Sequence, residues 1–403
     1  MQFKSLFRLI FLIGLLLTSL HSMSQEISEI LVYGQQEKIF SKVLNEERTI
    51  LITLPKDYDS SEKKRYPVFY NLDGRTQFQH VVGTLGWLSG PARKMPQHII
   101  VSIYNTKRFR DFSPSVPKNF KLLFPDNPPG GADNFTRFLS EELIPYIDKK
   151  FNTTGVRTLA GHSFGGLLAL HVMLTQKDLF QAYIAMSPNV KYDNMELVER
   201  AAKTLKASDN LAAILFLSVG NEADLKPGYD KLVSILTAQA PKGLTWESQV
   251  YLDEDHMSIP SRTLHNAMMA ISADFGWRIK PELGNKGIDA VKSHYQDLTK
   301  RFGYKIVPPE QEVNKIGYGL LQQKKLKEAI DVFVLNTQFH PESANAFDSL
   351  ADGFEAIEKW SSAKEVMMSA VKLASKQKSP DLGYFEKHLQ KVEEKMLAVN
   401  TLN

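Results

Sequence analysis

Short apolar, β-branched runs recur along the chain: EILVY, TILITL, YPVFYNL, HIIVSIY, VRTLA, QAYIAMS, AAILFLSV and TWESQVYL. Runs of this length, bounded by polar and turn residues, read as eight strands. From the third onward they alternate with residues at helical spacing, near 78–93, 133–150, 164–176, 192–206, 226–240 and 258–276. That alternation predicts an α/β fold, a mostly parallel sheet covered by helices on both faces. In such sheets the chemistry gathers at the carboxyl ends of the strands.

Beyond Trp277 the pattern changes. The segment Pro281–Gly287 (PELGNKG) ends the last helix of the alternating region, and the chain then reads as wholly helical. From about Glu312 a repeat sets in that places Ile316 over Leu350, Ala329 over Ala363 and Phe333 over Met367, each pair 34 residues apart. This is the tetratricopeptide period, and Gly317, Tyr318, Ala329, Phe333 and Pro341 fit its small, aromatic and proline positions. Two repeats bury too little core alone, so helices near 286–302 and 381–398, or the surface of the preceding domain, are expected to cover them.

The first residues have a different logic. Lys4 and Arg8 precede an apolar core, Leu9 to Leu17, and then small residues at Ser22 and Ser24. This is the layout of a cleavable secretory signal, 1–24, whose core is too short to span a bilayer comfortably. The expected organisation is therefore signal peptide 1–24, catalytic domain 25–280, helical linker 281–311 and tetratricopeptide-like region 312–403, in a periplasmic or secreted bacterial protein with no membrane span after cleavage.

Composition narrows the function. The 403 residues contain no cysteine, which excludes disulfides, a thiol nucleophile and a lipidated cysteine. Removing Lys4 and Arg8 with the signal takes the formal charge from +4 to +2, too little to suggest nucleic acid. There is no Walker loop, dinucleotide fingerprint or clustered metal-ligand pattern, so neither cofactor nor metal is expected.

The chemistry centres on GHSFGG, Gly161 to Gly166, between the apolar run VRTLA and the helical pattern LLALHVMLT. A serine flanked by glycines at a strand-to-helix turn is a nucleophile elbow, because bulky neighbours would collide with the strand and helix. Ser163 is the candidate nucleophile, with the N–H of Phe164 at the helix N-terminus available to an oxyanion. A serine needs a base and an orienting acid, which follow it in the order Ser, Asp or Glu, His. His256, in the acidic loop DEDHMS after the last strand, is the candidate base, whereas His162 beside the nucleophile reads as packing. The loop NEAD after AAILFLSVG offers Glu222 as first choice of acid and Asp224 as alternative; Asp253 and Asp255 crowd the histidine's own loop.

With these residues in place, residues 28–280 resemble the esterase D-like branch of the α/β-hydrolases, and most of all its siderophore-esterase side. The resemblance rests on YPVFYNLDG, IIVSIYNTKRFRDFSP, GHSFGG, Ser187–Pro188 and the DEDH loop. It implies an α/β-hydrolase fold followed by a small all-α region, and an exported serine esterase of the enterobactin-esterase type acting on a small-molecule ester. It also implies a second oxyanion N–H from Gly74 or Arg75. Arg108 and Ser187 are candidate substrate contacts, although for Arg108, Arg110 and Asp111 the favoured reading is an ion pair bracing a loop. Feruloyl or acetyl-xylan esterase and acyltransferase activities belong to the same family. A reading of another class is a binding protein whose helical repeats engage a protein partner.

Overall fold

The structure is a computed structural model and describes residues 33–61, 64–118, 127–208, 210–273 and 279–400. The expected signal peptide, and all of EILVY except Tyr33, lie outside them. From Gln36 onward the chain forms one compact unit.

Among the described residues, eight strands make one sheet in the order β1-β2-β4-β3-β5-β6-β7-β8. They are β1 (Gln35–Ser41), β2 (Glu46–Thr53), β3 (Tyr66–Asn71), β4 (Ile99–Ile103), β5 (Thr153–His162), β6 (Ala182–Met186), β7 (Asn210–Val219) and β8 (Lys242–Val250). β2 runs antiparallel to β4, and from β4 to β8 every pairing is parallel. The first strand among the described residues is QQEKIFS, a largely exposed edge strand that the apolar pattern does not single out.

The central strands are apolar throughout because both faces are covered. On one face Val68, Tyr70, Leu159, Tyr183 and Leu217 pack under helices α3 (Ala132–Arg137), α4 (Ile144–Lys150), α5 (Phe164–Thr175), α6 (Tyr192–Lys206) and α7 (Lys226–Gln239). On the other, Phe69, Ile100, Ile184 and Phe216 meet α1 (Gly74–Ser89) and α8 (Ile259–Ile271). Neighbours in sequence, such as Val68 and Phe69, thus serve opposite layers, as a period of two requires. The short helix α2 (Arg108–Phe112) follows β4, and a π-helical turn, Phe138–Leu143, joins α3 to α4.

The C-terminal region is all helical: α9 (Pro281–Gly284), α10 (Ile288–Phe302), α11 (Glu310–Gln322), α12 (Leu326–Phe339), α13 (Ala344–Glu355), α14 (Trp360–Lys376) and α15 (Leu382–Asn400). Helix α10 supplies Val291, Tyr295, Leu298 and Phe302 to a cluster with Val313 of α11 and Val332 of α12. Phe385 and Val392 of α15 close the other end against Ala363, Met367 and Ala370 of α14. Just past α10, Gly303 lies against Thr154 and Val156 at the start of β5. Ser163 follows the other end of that strand, about 25 Å away at the usual strand rise. The helical region therefore attaches where it leaves the carboxyl ends of the strands open.

An ionic latch holds α15. His388 bonds Asp348 Oδ1 through Nδ1 (2.6 Å) and Glu355 Oε1 through Nε2 (2.5 Å). The hydrogen bond to Asp348 above all, and then Glu355, push the His388 pKa up to about 9 against the opposing effect of burial. A folded pKa above the ordinary value of about 6.5 means that the latch stabilises fully below that pH and is lost as pH rises through about 9. His388→Gln is accordingly expected to lower the melting temperature at pH 7 but much less at pH 10, measured by thermal unfolding of both proteins at each pH. An equal difference at the two pH values would contradict the latch.

Candidate active site

The sharp turn between β5 and α5 carries Ser163 at φ 60° and ψ −116°, a conformation an L-residue adopts only when its surroundings hold it there. They do so through the backbone. Ser163 N–H donates to Met186 O (2.9 Å), and its carbonyl accepts from Leu167 (3.0 Å) and Asn189 (3.0 Å). The turn closes only because residue 161 is glycine: a Cβ there would lie 2.2 Å from Gly165 O. Phe164 is the first residue of α5, so its N–H has no intrahelical acceptor.

A second helix N-terminus lies alongside. β3 and β5 are neighbours, and the ladder continues into the loop, with Leu72 N–H donating to Ala160 O (3.0 Å). Asp73, left-handed at φ 57°, then caps α1, whose first two residues are Gly74 and Arg75. Two sets of unpaired N–H groups thus start from adjacent strand ends, an arrangement suited to an anionic oxygen.

The candidate acid and base follow β7 and β8, beyond β6 in the sheet. Glu222, on the loop after β7, bonds His256 Nδ1 through Oε1. Its Oε2 accepts from Ser187 Oγ (2.5 Å) and Gly220 N–H (3.1 Å). The two loops are laced together by Asn221 N–H to Glu254 O (2.8 Å), an approach that leaves a Cβ at residue 220 only 2.7 Å from that oxygen. Glu222 is nearly buried and His256 partly exposed, so the imidazole is held from behind and open in front. His162 packs its ring on His256, centroids 4.5 Å apart. Burial, and next the neighbouring His256, hold the His162 pKa down to about 4, so at neutral pH it adds no charge beside that ring.

Ser163, Glu222 and His256 line one open cleft of about 530 Å³ together with Asn189, Lys191, Asn221, Ala223, Asp224 and Leu225. Asp224 is exposed and paired with Lys191, whose hydrogen bond holds the carboxyl below its ordinary pKa; no bond joins it to His256. Asp253 pairs with Arg262, and Asp255 accepts the N–H groups of Met257 and Ser258.

The two candidate substrate contacts are both engaged within the protein, and for Arg108 this is the ion pairing that the sequence favoured. Ser187 is fully buried with its hydroxyl on Glu222, which takes it out of a substrate's reach. Arg108 is committed to Asp73 through Nε and Nη2 and to the His162 carbonyl, which makes it part of the protein's own framework. Asp111 pairs instead with Arg48 and Arg110. Asp73, Asn189 and Lys191 were not singled out as site residues from sequence. In the sequence NLDG only precedes the loop expected to supply the second oxyanion donor, and 188–194 reads only as a loop bearing on substrate choice. Residues 114–131, rich in proline and glycine, also read as an exposed loop over the site, and 119–126 of them lie outside the described residues.

Among the described residues, the one grouping of metal-ligand composition is Asp352, Glu355 and His388 on the C-terminal helices. Both ring nitrogens of His388 already face carboxylates there.

Comparison with known proteins fits this geometry. The model of the family described as "Putative esterase" matches residues 41–250, just over half of the chain. The chain belongs to this esterase family. It is 28% identical over 240 residues to the ferri-bacillibactin esterase BesA of Bacillus subtilis, covering 53% of this chain and 82% of that protein. An IroE-like serine hydrolase from Shewanella oneidensis superposes with a TM-score of 0.63 at 30% identity, over 76% of this chain and 99% of that one. An uncharacterised protein from Capnocytophaga ochracea shares the fold over 90% of this chain and 99% of its own, at 18% identity and a TM-score of 0.70. The esterase family makes this protein a hydrolase acting on carboxylic esters, on an α/β-hydrolase-like sheet with an all-helical C-terminal region.

Proposed function

We propose that the protein is an exported serine esterase that opens the ester bonds of a siderophore through an acyl-enzyme on Ser163. The observation that carries the serine mechanism is the placement of His256, bound to Glu222 through Nδ1, in the cleft that Ser163 lines. With Nδ1–H donated to Glu222, Nε2 is the ring's free base. It takes the Ser163 proton as Oγ attacks the ester carbonyl. The N–H of Phe164, with that of Gly74 or Arg75, receives the charge that develops on the carbonyl oxygen. Imidazolium then protonates the leaving alcohol, and water releases the acid by the same steps in reverse roles.

The substrate class is supported by the relationship to the ferri-bacillibactin esterase and by the cleft itself. Its lining is mostly polar, includes Lys191, and is open to solvent, which suits a bulky polar ester better than an alkyl chain. Iron, where present, would arrive as the substrate's cargo. Export is supported by the sequence 1–24, with its basic start, apolar core and small residues at Ser22 and Ser24. Among the described residues no helix is long and apolar enough to cross a membrane.

The test compares kcat/KM of residues 25–403 on an enterobactin-type trilactone, with and without iron, on methyl ferulate and on p-nitrophenyl butyrate. The trilactone is expected to exceed methyl ferulate by roughly 10⁴-fold, the discrimination available to a site that hydrogen-bonds a substrate's polar groups. A preference for methyl ferulate, or for acetylated xylan, would replace the siderophore by a plant-wall ester.

A further inference from the structure

The segment NTKRFRDFSP, residues 105–114, supplies no member of the triad, yet it is built into the back of the oxyanion site. Arg108 donates Nε to Asp73 Oδ1 (2.5 Å) and Nη2 to Asp73 Oδ2 (3.0 Å), and Asn105 Nδ2 adds a bond to Oδ1 (2.5 Å). The same Nη2 reaches the carbonyl of His162, the residue before Ser163, at 3.2 Å. Asp73 itself touches the elbow: a methyl group on Gly165 would lie 3.2 Å from Oδ2. One guanidinium thus ties the turn that carries Gly74 and Arg75 to the turn that carries Ser163 and Phe164.

The anchor behind it is stiff. Arg48, fully buried, bonds Asp111 (2.6 Å), and Arg110 bonds Glu46 (2.6 Å). Phe109 packs edge-on against Phe164 at 5.1 Å between centroids and against Tyr192 at 6.0 Å. Helix α2 is therefore fixed to β2 on one side and pressed onto the elbow on the other.

We infer that Arg108 is a positioning residue for the ester hydrolysis proposed above. It sets the spacing between the two oxyanion N–H donors, and it neutralises the Asp73 carboxylate. That carboxylate has little contact with water and lies beside both helix N-termini, where an uncompensated negative charge would oppose the one that develops on the ester oxygen. The inference rests on the reading of Ser163 as nucleophile.

The test uses the mature protein with p-nitrophenyl butyrate, its rates divided by the number of sites that a fluorophosphonate labels to completion. Arg108→Gln is expected to lower kcat by about 100-fold with KM changed less than about threefold, as loss or misplacement of an oxyanion donor does. Affinity for a trifluoromethyl ketone, which forms an oxyanion adduct on a serine, should fall by the same factor. Adding Asp73→Asn to that variant removes the stranded charge and should restore about tenfold of the rate, and Arg108→Lys should fall between wild type and Arg108→Gln. The inference is overturned by a kcat within threefold of wild type, by a loss found wholly in the labelled fraction, or by a double variant no faster than Arg108→Gln. If Arg108→Gln does not fold, Arg108→Lys and the double variant carry the same kcat, KM and ketone comparison against wild type. A wild-type protein that hydrolyses the ester without being labelled would instead sink the serine reading itself, a result distinct from an unaffected Arg108 variant.

Discussion

Ser163→Ala is expected to lower turnover of p-nitrophenyl butyrate by about 10⁵-fold or more, the loss typical of removing a serine nucleophile. What survives should be the modest catalysis that oxyanion donors and binding give alone, roughly 10³-fold over water. The fold should be indifferent to the change. The turn is held by the Met186, Leu167 and Asn189 backbone bonds, none of which involves the hydroxyl. Alanine takes the same strained φ and ψ as serine, so the melting temperature should move by no more than about 2 °C. Steady-state kinetics beside a thermal melt check both halves. Retention of more than about one per cent of the activity in a folded variant would remove Ser163 from the mechanism.

Glu222→Gln tests the acid, and here the surroundings dictate the mechanism of loss. Gly220 N–H, a fixed donor, faces Oε2 at 3.1 Å, and the Ser187 hydroxyl faces the same oxygen. A glutamine must therefore keep its carbonyl oxygen on that side and turn its NH₂ toward His256 Nδ1. Nδ1 then becomes the acceptor and the proton moves to Nε2, the nitrogen that has to receive the serine's proton. The geometry survives while the tautomer is wrong, a fault that costs a Ser-His-acid enzyme about 10⁴-fold in kcat. Asp224→Asn is the control. Its side chain is exposed and bound to Lys191, so kcat should stay within about threefold. Full activity in Glu222→Gln, or the larger loss in Asp224→Asn, would reassign the acid.

The sheet was legible where strands are covered on both faces, since burial on both sides writes an uninterrupted apolar run such as IIVSI of β4. β1 was not legible. QQEKIFS is an edge strand whose exposed positions mix amides and a charge with Phe40, and nothing in its hydropathy separates it from a loop. In the site, Ser163, Glu222 and His256 were legible as candidates because each closely follows a strand, and the topology brings those strand ends together. The choice between Glu222 and Asp224 stayed open in the sequence, because two carboxylates on one loop differ only in which way they face. The side chain that faces inward meets Gly220 N–H, Ser187 and His256; the other meets Lys191. Ser187 misled for the same reason: a serine at a strand end looks available, and only its orientation shows that Glu222 has claimed it. Arg108 was readable as an ion-pairing residue, but its partner lies 35 residues earlier, and no local pattern connects the two.

The most direct test of the account is covalent. The mature protein is treated with a fluorophosphonate until esterase activity is gone, then digested, and the modified peptide is located by mass spectrometry. The account predicts a single adduct on Ser163, formed in step with the loss of activity and absent from Ser163→Ala. Inactivation with the adduct on any other residue, or undiminished ester hydrolysis with Ser163 fully labelled, would contradict it.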